Sequence, residues 1–361
     1  MCKVYFALLI LIVFTTNIYA LSGSGTEGDP WLVQSLTDFD DFAADANYWD
    51  DYTRLETDVN LAGITYTTAI IAPDINDSNE DFDGIAFTGA FYGNNHKIVN
   101  LTIDTQGEDK NYLGLFGSIG AGAVVDNVGL ENIVVVGSGN QVHLEFTGNF
   151  GALVGVNSGV IKNCRVNGSV TGGNFSEDIG GMCGWNESTG IISRCYVMGS
   201  VCGGENSGGI GGLCGSNEGS ITNCWASSSV SGRNSLGGLC GFLDGGSITN
   251  SYSTGSVNGT AENVGGLCGE RIGGTIINCF WDVETSGMAT SNGGTGKTTE
   301  EMKMAITFTS AGWDLVTTWN IEELQTYPFL RKYSAVDLNY DEQVDFIDFA
   351  YFAEHWLEGV K

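Results

Sequence analysis

Short apolar strings alternate with glycine-rich turns along most of this chain. Five of the strings share one pattern, in which an apolar residue, two small residues and two further apolar residues close on glycine. They are FGALVG (150–155), IGGMCG (179–184), IGGLCG (210–215), LGGLCG (236–241) and VGGLCG (264–269). Successive closing glycines are 29, 31, 26 and 28 residues apart. This near-constant period predicts one structural unit per repeat.

A second string follows each glycine cluster and carries the strand signal. The copies are VIKNCRVNGSV (160–170), IISRCYVMGSV (191–201), SITNCWASSSV (220–230), SITNSYSTGSV (247–257) and TIINCFWDVET (275–285). They are rich in β-branched residues and bounded by Gly, Asn or Ser, as strands and turns are. A unit this short cannot bury its own face, so neighbouring units must stack. The pattern predicts an all-β fold, a parallel β-helix or β-solenoid of about 26–31-residue coils.

The two strings in fixed order resemble the GLUG-motif repeats of bacterial extracellular proteins. The resemblance covers residues 110–290, and YLGLFG (112–117) fits an earlier, divergent coil. It implies that residues 21–109 form an N-terminal cap and the first coils, with one short helix over Thr37–Asn47 capped by Ser35 or Thr37. Residues 291–333 would then be the C-terminal exit segment of the solenoid. Within it, GGTGKTT (293–299) imitates a phosphate-binding loop but lacks the required first glycine and the flanking α/β unit.

The beginning of the chain and its charge indicate where it works. Residues 1–20 combine an early lysine, an apolar run and a polar end, which is typical of a secretory signal peptide, a retained anchor being the weaker alternative. No other segment suggests a membrane span in the mature chain. Lys and Arg number 14 against 43 Asp and Glu, for a net charge of −29. That charge disfavours nucleic acid and anionic membranes as partners.

The cysteines follow the repeat more closely than they follow any metal motif. Eight of them occupy two repeat positions, namely Cys183, Cys214, Cys240 and Cys268 in one column and Cys164, Cys195, Cys224 and Cys279 in the other. Cys202 stands apart, and there is no CxxC pair of the kind that zinc sites use. Stacked coils do not give neighbouring cysteines a favourable disulfide direction. We therefore expect buried, unpaired thiols.

Aromatic residues follow the second cysteine position, at Tyr196, Trp225, Tyr252 and Phe280. If strand alternation continues unbroken, Trp225 shares the face of Ile221 and is core. If Asn223 turns the chain, the rings form an outer stripe suited to stacking on sugars. Core packing is the favoured interpretation, because an aromatic ladder needs no ligand to explain it.

No catalytic constellation stands out in the repeats. The cations Lys162, Arg165, Arg194, Arg233 and Arg271 share no repeat position, and the histidines are far apart in sequence. Acids are abundant in loop-like stretches, at Asp178, Glu187, Glu205, Glu218, Asp244 and Glu262. A carboxylate pair for glycoside hydrolysis would depend on spacing in three dimensions, which the sequence does not show.

The sharpest chemical pattern lies near the end of the chain. Oxygen-bearing residues stand at the ligand positions of a calcium loop, namely Asp337, Asn339, Asp341, Gln343, Asp345 and Asp348. Five are ligands through their side chains, and the residue at position seven offers its backbone carbonyl. Aspartate at position twelve makes residues 334–361 resemble a dockerin-like EF-hand module with a single loop. Glu342 replaces the usual glycine, and the second loop of dockerins is missing, so the resemblance implies weak calcium binding.

These observations predict a secreted or cell-surface, non-catalytic repeat protein for binding or adhesion. Its partner would be an extracellular protein or a polysaccharide, and calcium in the dockerin-like tail would allow docking or tethering to a cohesin-like protein. Two alternatives remain open. One is a polysaccharide-active β-helix enzyme, a glycoside hydrolase or lyase carried by the dockerin-like module. The other is a structural surface-layer or matrix component.

Overall fold

The computed structural model describes residues 21–76, 81–138, 147–259 and 263–331. Within these ranges the chain winds into successive coils, and a full coil contains four short strands. One coil runs through Ser176–Gly180, Cys183–Asn186, Ile191–Ser193 and Tyr196–Cys202. Each strand pairs in parallel with its counterpart in the next coil, so four sheets run along the axis. The predicted parallel β-solenoid is confirmed.

Sheets 1 and 2 carry the glycine clusters. Sheet 1 contains Thr147–Phe150, Ser176–Gly180, Ile210–Gly211, Leu236–Gly237 and Val264–Gly265. Sheet 2 contains Phe116–Ile119, Val154–Asn157, Cys183–Asn186, Cys214–Asn217, Cys240–Leu243 and Cys268–Arg271. Glycine is required between these two sheets because neighbouring coils approach closely there. A Cβ at Gly212, for example, would lie 2.2 Å from the carbonyl oxygen of Gly238 on the next coil.

Sheets 3 and 4 carry the second string. Sheet 3 contains Trp31–Val33, Tyr52–Leu55, Ala90–Tyr92, Val124–Asp126, Val160–Lys162, Ile191–Ser193, Ser220–Thr222, Ser247–Thr249 and Thr275–Ile277. Sheet 4 contains Val59–Asn60, Thr65–Tyr66, Lys97–Val99, Thr102–Asp109, Gly129–Ser138, Arg165–Thr171, Tyr196–Cys202, Trp225–Ala226, Ser229–Gly232, Tyr252–Ser253, Val257–Gly259, Phe280–Asp282 and Thr295–Lys297. The corner between them is made by a residue in the left-handed region, Asn in most coils, with φ of 55° at Asn223. Asparagine tolerates this conformation better than most side chains.

The interior is a stack of equivalent apolar side chains. Ile161, Ile192, Ile221 and Ile248 form one fully buried column behind sheet 3. The two cysteine columns also point inward: Cys183, Cys214, Cys240 and Cys268 are in register, and the thiols of all nine described cysteines are free. Eight of those nine are buried and Cys202 is partly exposed, as expected.

A short helix closes the N-terminal end of the solenoid. It spans Leu36–Ala44, followed by a 3₁₀ turn at Ala46–Tyr48, so the predicted single helix over Thr37–Asn47 is shorter and divided. Ser35 is the cap, since its side chain accepts a hydrogen bond from the backbone N–H of Asp38. Phe39 and Phe42 lie fully buried against the first coils. The helix thereby covers apolar surface that the N-terminal end of the solenoid would otherwise expose.

The exit segment folds back along the solenoid. After Thr295–Lys297, the last strand of sheet 4, the chain forms a 3₁₀ turn at Glu301–Lys303, a short helix at Ala305–Thr309 and an antiparallel pair, Trp319–Asn320 with Phe329–Leu330. A one-turn helix at Val283–Ser286 precedes it. No helix in the described ranges is long and apolar enough to cross a membrane.

Candidate functional site: two outer grooves

An acidic groove runs along the outside of sheets 1 and 2. Its volume is about 720 Å³. Four carboxyl groups line it, from Glu177, Asp178, Glu218 and Glu270, and none of the described lining residues is a lysine or arginine. The aromatic residues in its wall are Tyr112, Trp185 and Phe242. Such a combination of rings and hydrogen-bonding groups in a cleft is typical of small-molecule and sugar sites.

The floor of the acidic groove holds a gap between two aromatic side chains. Sheet 2 places Trp185, Ser216 and Phe242 in direct register on three successive coils. Two strand spacings separate the aromatic residues, which is about 10 Å between their backbones. Trp185 and Phe242 are partly exposed, whereas Ser216 is 5% exposed. The small serine thus separates two larger aromatic side chains on successive coils, and we call Trp185, Ser216 and Phe242 together the aromatic slot.

One carboxyl group beside the aromatic slot has a raised pKa. Burial, and after it the neighbouring charges of Glu177 and Glu218, raise the pKa of Asp178 to about 8. Burial also raises the pKa of Glu218, partly offset by the Trp185 indole N–H. Asp178 occupies the left-handed corner position that asparagine holds at Asn149. The groove thus places a carboxyl group of raised pKa beside other carboxyl groups.

The structure brings together only some of the acids that the sequence singled out. Asp178 and Glu218 meet in the acidic groove, whereas Glu187, Glu205 and Asp244 are not among its lining residues. Glu177 and Glu270 were missed. Glu270 accepts a hydrogen bond from Ser235 at 2.5 Å. Glu270 occupies the repeat position that Trp185 holds three coils earlier, and this correspondence was the signal available in the sequence.

A second, basic groove lies along the corner of sheets 3 and 4 and has a volume of about 590 Å³. Its described charged lining residues are three arginines, Arg165, Arg194 and Arg331, and one carboxylate, Glu131. The other lining residues are Asn95, Asn127, Asn163, Tyr196, Met198, Trp225, Phe329 and Leu330. Two separate sequence signals, the scattered cations and the aromatic column, therefore converge at one place.

The aromatic column stands on the outside of sheet 4, and the prediction that it packs in the solenoid core is wrong. The left-handed turn at Asn223 interrupts strand alternation, so Ala226 points inward and Trp225 outward. Tyr196 and Trp225 stack with centroids 4.6 Å apart and planes 1° apart, and Trp225 and Tyr252 are 5.9 Å apart. Because the rings cover one another's faces, this stripe offers sugars mainly ring edges.

The exit segment covers the C-terminal part of the column. Tyr252 and Phe280 are buried in a separate cluster with Met302, Phe308, Trp313 and Trp319. The Tyr252 hydroxyl donates to the carbonyl of Pro328 at 2.5 Å, and the Trp313 indole donates to the carbonyl of Asn278 at 2.8 Å. Through this docking, residues 329–331 form one wall of the basic groove.

The predicted calcium ligands lie outside the described residues. This applies to Asp337, Asn339, Asp341, Gln343, Asp345 and Asp348, and the calcium site stays a prediction. Within the described ranges, no group of three or more His, Cys, Asp or Glu side chains is placed to hold a metal ion.

Comparison with known proteins supports the repeat assignment. Residues 232–258 match the model of the GLUG motif. The segment that matches the GLUG motif thus forms part of the β-solenoid. A segment of 170 residues, 46% of the chain, is 34% identical to halomucin from Haloquadratum walsbyi and spans 2% of that protein's length.

The fold also occurs among solved structures. A putative immunoglobulin A1 protease from Bacteroides ovatus superposes with a TM-score of 0.61 at 20% sequence identity, over 86% of this chain and 94% of that chain. At this identity the likeness establishes the fold and says nothing about activity.

Proposed function

We propose that this protein is a secreted or cell-surface, non-catalytic repeat protein that binds polysaccharide in its acidic groove. The observation that carries the proposal is the aromatic slot, in which Trp185 and Phe242 flank the small, buried Ser216. Aromatic faces bind the apolar faces of sugar rings, and the carboxylates around the slot accept hydrogen bonds from hydroxyl groups. The four lining carboxyl groups, with no cation beside them in the part of the chain that the structure describes, favour a neutral glycan over an acidic one.

The extracellular setting rests on two further observations. The first twenty residues have the pattern of a secretory signal peptide. The repeats are similar to a segment of halomucin, and an acidic surface with a net charge of −29 stays soluble in saline surroundings. The role of the groove would be adhesion to, or retention on, a glycan outside the cell.

Binding of neutral oligosaccharides, followed by calorimetry and by affinity electrophoresis, tests this function. Ser216→Phe fills the aromatic slot while extending the ladder of Trp185 and Phe242, so it should abolish binding and leave the fold intact. Trp185→Ala should weaken binding at least tenfold. The control, Tyr92→Ala, removes an outward ring of sheet 3 outside the groove and should bind normally. Unchanged affinity in Ser216→Phe would refute the aromatic slot as the site.

The C-terminal segment supplies the second half of the proposal. Residues 334–361 would bind calcium and dock the protein to a cohesin-like partner or tether it to a surface. Calcium titration of the full chain beside an Asp337→Ala/Asp341→Ala variant tests this. One saturable site that the variant lacks supports a metal module, and identical heats in both proteins would exclude the dockerin-like role.

A second candidate function is glycoside hydrolysis in the same groove. It is favoured by Asp178, whose pKa near 8 makes it a general acid at neutral pH beside the carboxylates of Glu177 and Glu218. Asp178 would protonate the leaving oxygen, and an ionised neighbour would act as base or nucleophile. Release of reducing ends by the wild type, lost in Asp178→Asn and Glu218→Gln, would establish the enzyme. Binding without release would leave the non-catalytic role standing.

A further inference from the structure

The two grooves of the solenoid have opposite charge. Counting described residues, the acidic groove is lined by four carboxyl groups and no cation, whereas three arginines and one carboxylate line the basic groove. The chain has only 14 lysines and arginines, so three in one groove are a marked concentration. A local positive field in an otherwise acidic protein selects ligands that carry negative charge.

The one carboxylate of the basic groove is already engaged by a cation. Lys97 donates to Glu131 at 2.8 Å, and the charge on Glu131 raises the pKa of Lys97 through that hydrogen bond. Both side chains are partly exposed, so the pair contributes little to stability. The effect of the pair is electrostatic. Because Lys97 offsets the negative charge of Glu131, the arginines determine the sign of the net charge in the groove.

Arg165 is held in place, and no acceptor for its guanidinium lies among the described residues. It stands in register between Gly129 and Tyr196 on successive coils of sheet 4. Its guanidinium lies over Gly129, where a Cβ would come within 2.7 Å of the Arg165 Cζ atom. No ion pair or side-chain hydrogen bond joins Arg165 to any residue that the structure describes. A planar guanidinium with unused donors binds a carboxylate or a sulfate in two parallel hydrogen bonds.

The surroundings of Arg165 suit a sugar more than a peptide. Asn95, Asn127 and Asn163 line the groove at successive corners, and Asn127 donates to Asn95 at 3.0 Å. Amides spaced by one coil repeat about every 4.8 Å, close to the length of one sugar residue in an extended glycan. The edge of the Tyr196 ring completes the wall next to Arg165.

Arg194 joins the exit segment to this groove. It donates to Asn163 at 3.1 Å and to the backbone carbonyl of Arg331 at 3.2 Å, 137 residues away in sequence. The Arg331 side chain in turn donates to the carbonyls of Trp319 and Leu315, at 3.0 and 3.1 Å. Arg331, the third arginine of the basic groove, is thus brought to the groove by the docking of the exit segment.

We propose that the basic groove is a second, independent glycan site that binds an acidic polysaccharide, with Arg165 gripping its carboxylate or sulfate groups and the asparagine corner bonding its hydroxyls. This goes beyond the neutral-glycan function of the acidic groove. A protein with both sites would bridge two different polymers of an extracellular matrix.

The test compares polygalacturonate, dextran sulfate and neutral dextran by affinity electrophoresis and calorimetry on the full chain. We expect binding of a charged polymer, weakened by salt, and none of dextran. Arg165→Gln should lower that affinity at least tenfold, and Arg165→Lys should restore only part of it. The control, Arg54→Gln, removes the same charge from the Arg54–Glu56 pair away from the groove and should have no effect.

Further variants and ligands in the same binding experiment distinguish its possible outcomes. Glu131→Gln removes the only lining carboxylate and should strengthen binding, which tests the site even if Arg165→Gln folds poorly. The preferred polymer tells a carboxylate ligand from a sulfate. Ser216→Phe should leave acidic-glycan binding unchanged, so this proposal and the neutral-glycan site can fail separately. Equal affinity of Arg165→Gln and wild type, or equally tight binding of polyglutamate, would overturn the proposal.

Discussion

Asn186 donates its side-chain amide to the Asn217 carbonyl oxygen across one coil, at 2.7 Å, and both side chains are completely buried. Asn157 donates to Asn186 in the same way at 2.7 Å, so a short amide ladder runs inside the turn between sheets 2 and 3. Each amide also bonds to a backbone carbonyl of its own turn, as Asn186 does with Gly190 at 3.2 Å. The ladder therefore couples the register of neighbouring coils to the shape of each turn.

Breaking this ladder should be costly. Asn186→Leu keeps the side-chain volume but leaves the amides of Asn157 and Asn217 short of a partner inside the protein. We expect the free energy of unfolding to fall by about 2–4 kcal/mol, measured by urea denaturation. Asn167→Ala, an exposed asparagine of sheet 4, is the control and should change it by less than about 0.5 kcal/mol. Equal stabilities of the two variants would show that the ladder is energetically neutral.

The thiols should be protected by the fold. Burial raises the pKa of Cys195 and Cys214 well above its ordinary value and that of Cys279 to about 12, so they are neither ionised nor accessible at neutral pH. A thiol reagent should label Cys202 first, because it alone is partly exposed among the described cysteines. Mass spectrometry before and after denaturation checks this. Cys202→Ala should remove the fast phase, and rapid labelling of the ladder thiols in native protein would contradict the prediction.

Stability should depend on pH through Asp178. Its pKa lies near 8 in the folded protein against 3.8 ordinarily, so between these values the unfolded chain has lost a proton that the folded chain keeps. The free energy of unfolding must then fall as pH rises through this window. Asp178→Asn should remove that slope and be more stable than wild type by about 1–3 kcal/mol at pH 8.

Thermal unfolding of both proteins from about pH 4 to 9 measures this difference. Glu205→Gln, which changes an exposed carboxylate outside the acidic groove, is the matched control and should run parallel to wild type. If the difference in stability between Asp178→Asn and wild type is the same at every pH in this range, the pKa of Asp178 is not raised in the folded protein.

Docking of the exit segment should depend on Trp319, which is fully buried against the aromatic column. Trp319→Ala leaves a large cavity and should weaken docking by about 3–5 kcal/mol. Trypsin should then cut at Lys303 and Arg331 much faster, while the circular dichroism of the solenoid is kept. Val316→Ala, a change at a side chain that is 77% exposed, should leave the cleavage rate as in wild type. If Trp319→Ala resists trypsin as wild type does, contacts other than those of Trp319 stabilise the docked exit segment.

Much of the solenoid follows from local pattern. Like residues recur at the position of Cys214 in four coils, at that of Asn217 in three and at that of Ile221 in five. A column of like residues is what stacked units require, so period, strands and buried thiols could all be predicted. The cap residue of the first helix, Ser35, was one of two that capping chemistry allowed. The calcium ligands from Asp337 to Asp348 are also a local pattern, and their role stays a prediction.

The outward turn of Trp225 was decided by the left-handed backbone at Asn223, one of two conformations that the sequence allowed. The grooves depend on contacts that no local pattern contains. Asp178 and Glu218 meet because sheets 1 and 2 converge, and Arg194 meets Arg331 because the exit segment folds back across 137 residues. Repeat spacing determines which residues stack along the axis. Only tertiary packing decides which faces converge across it, because that depends on the summed burial of many distant side chains.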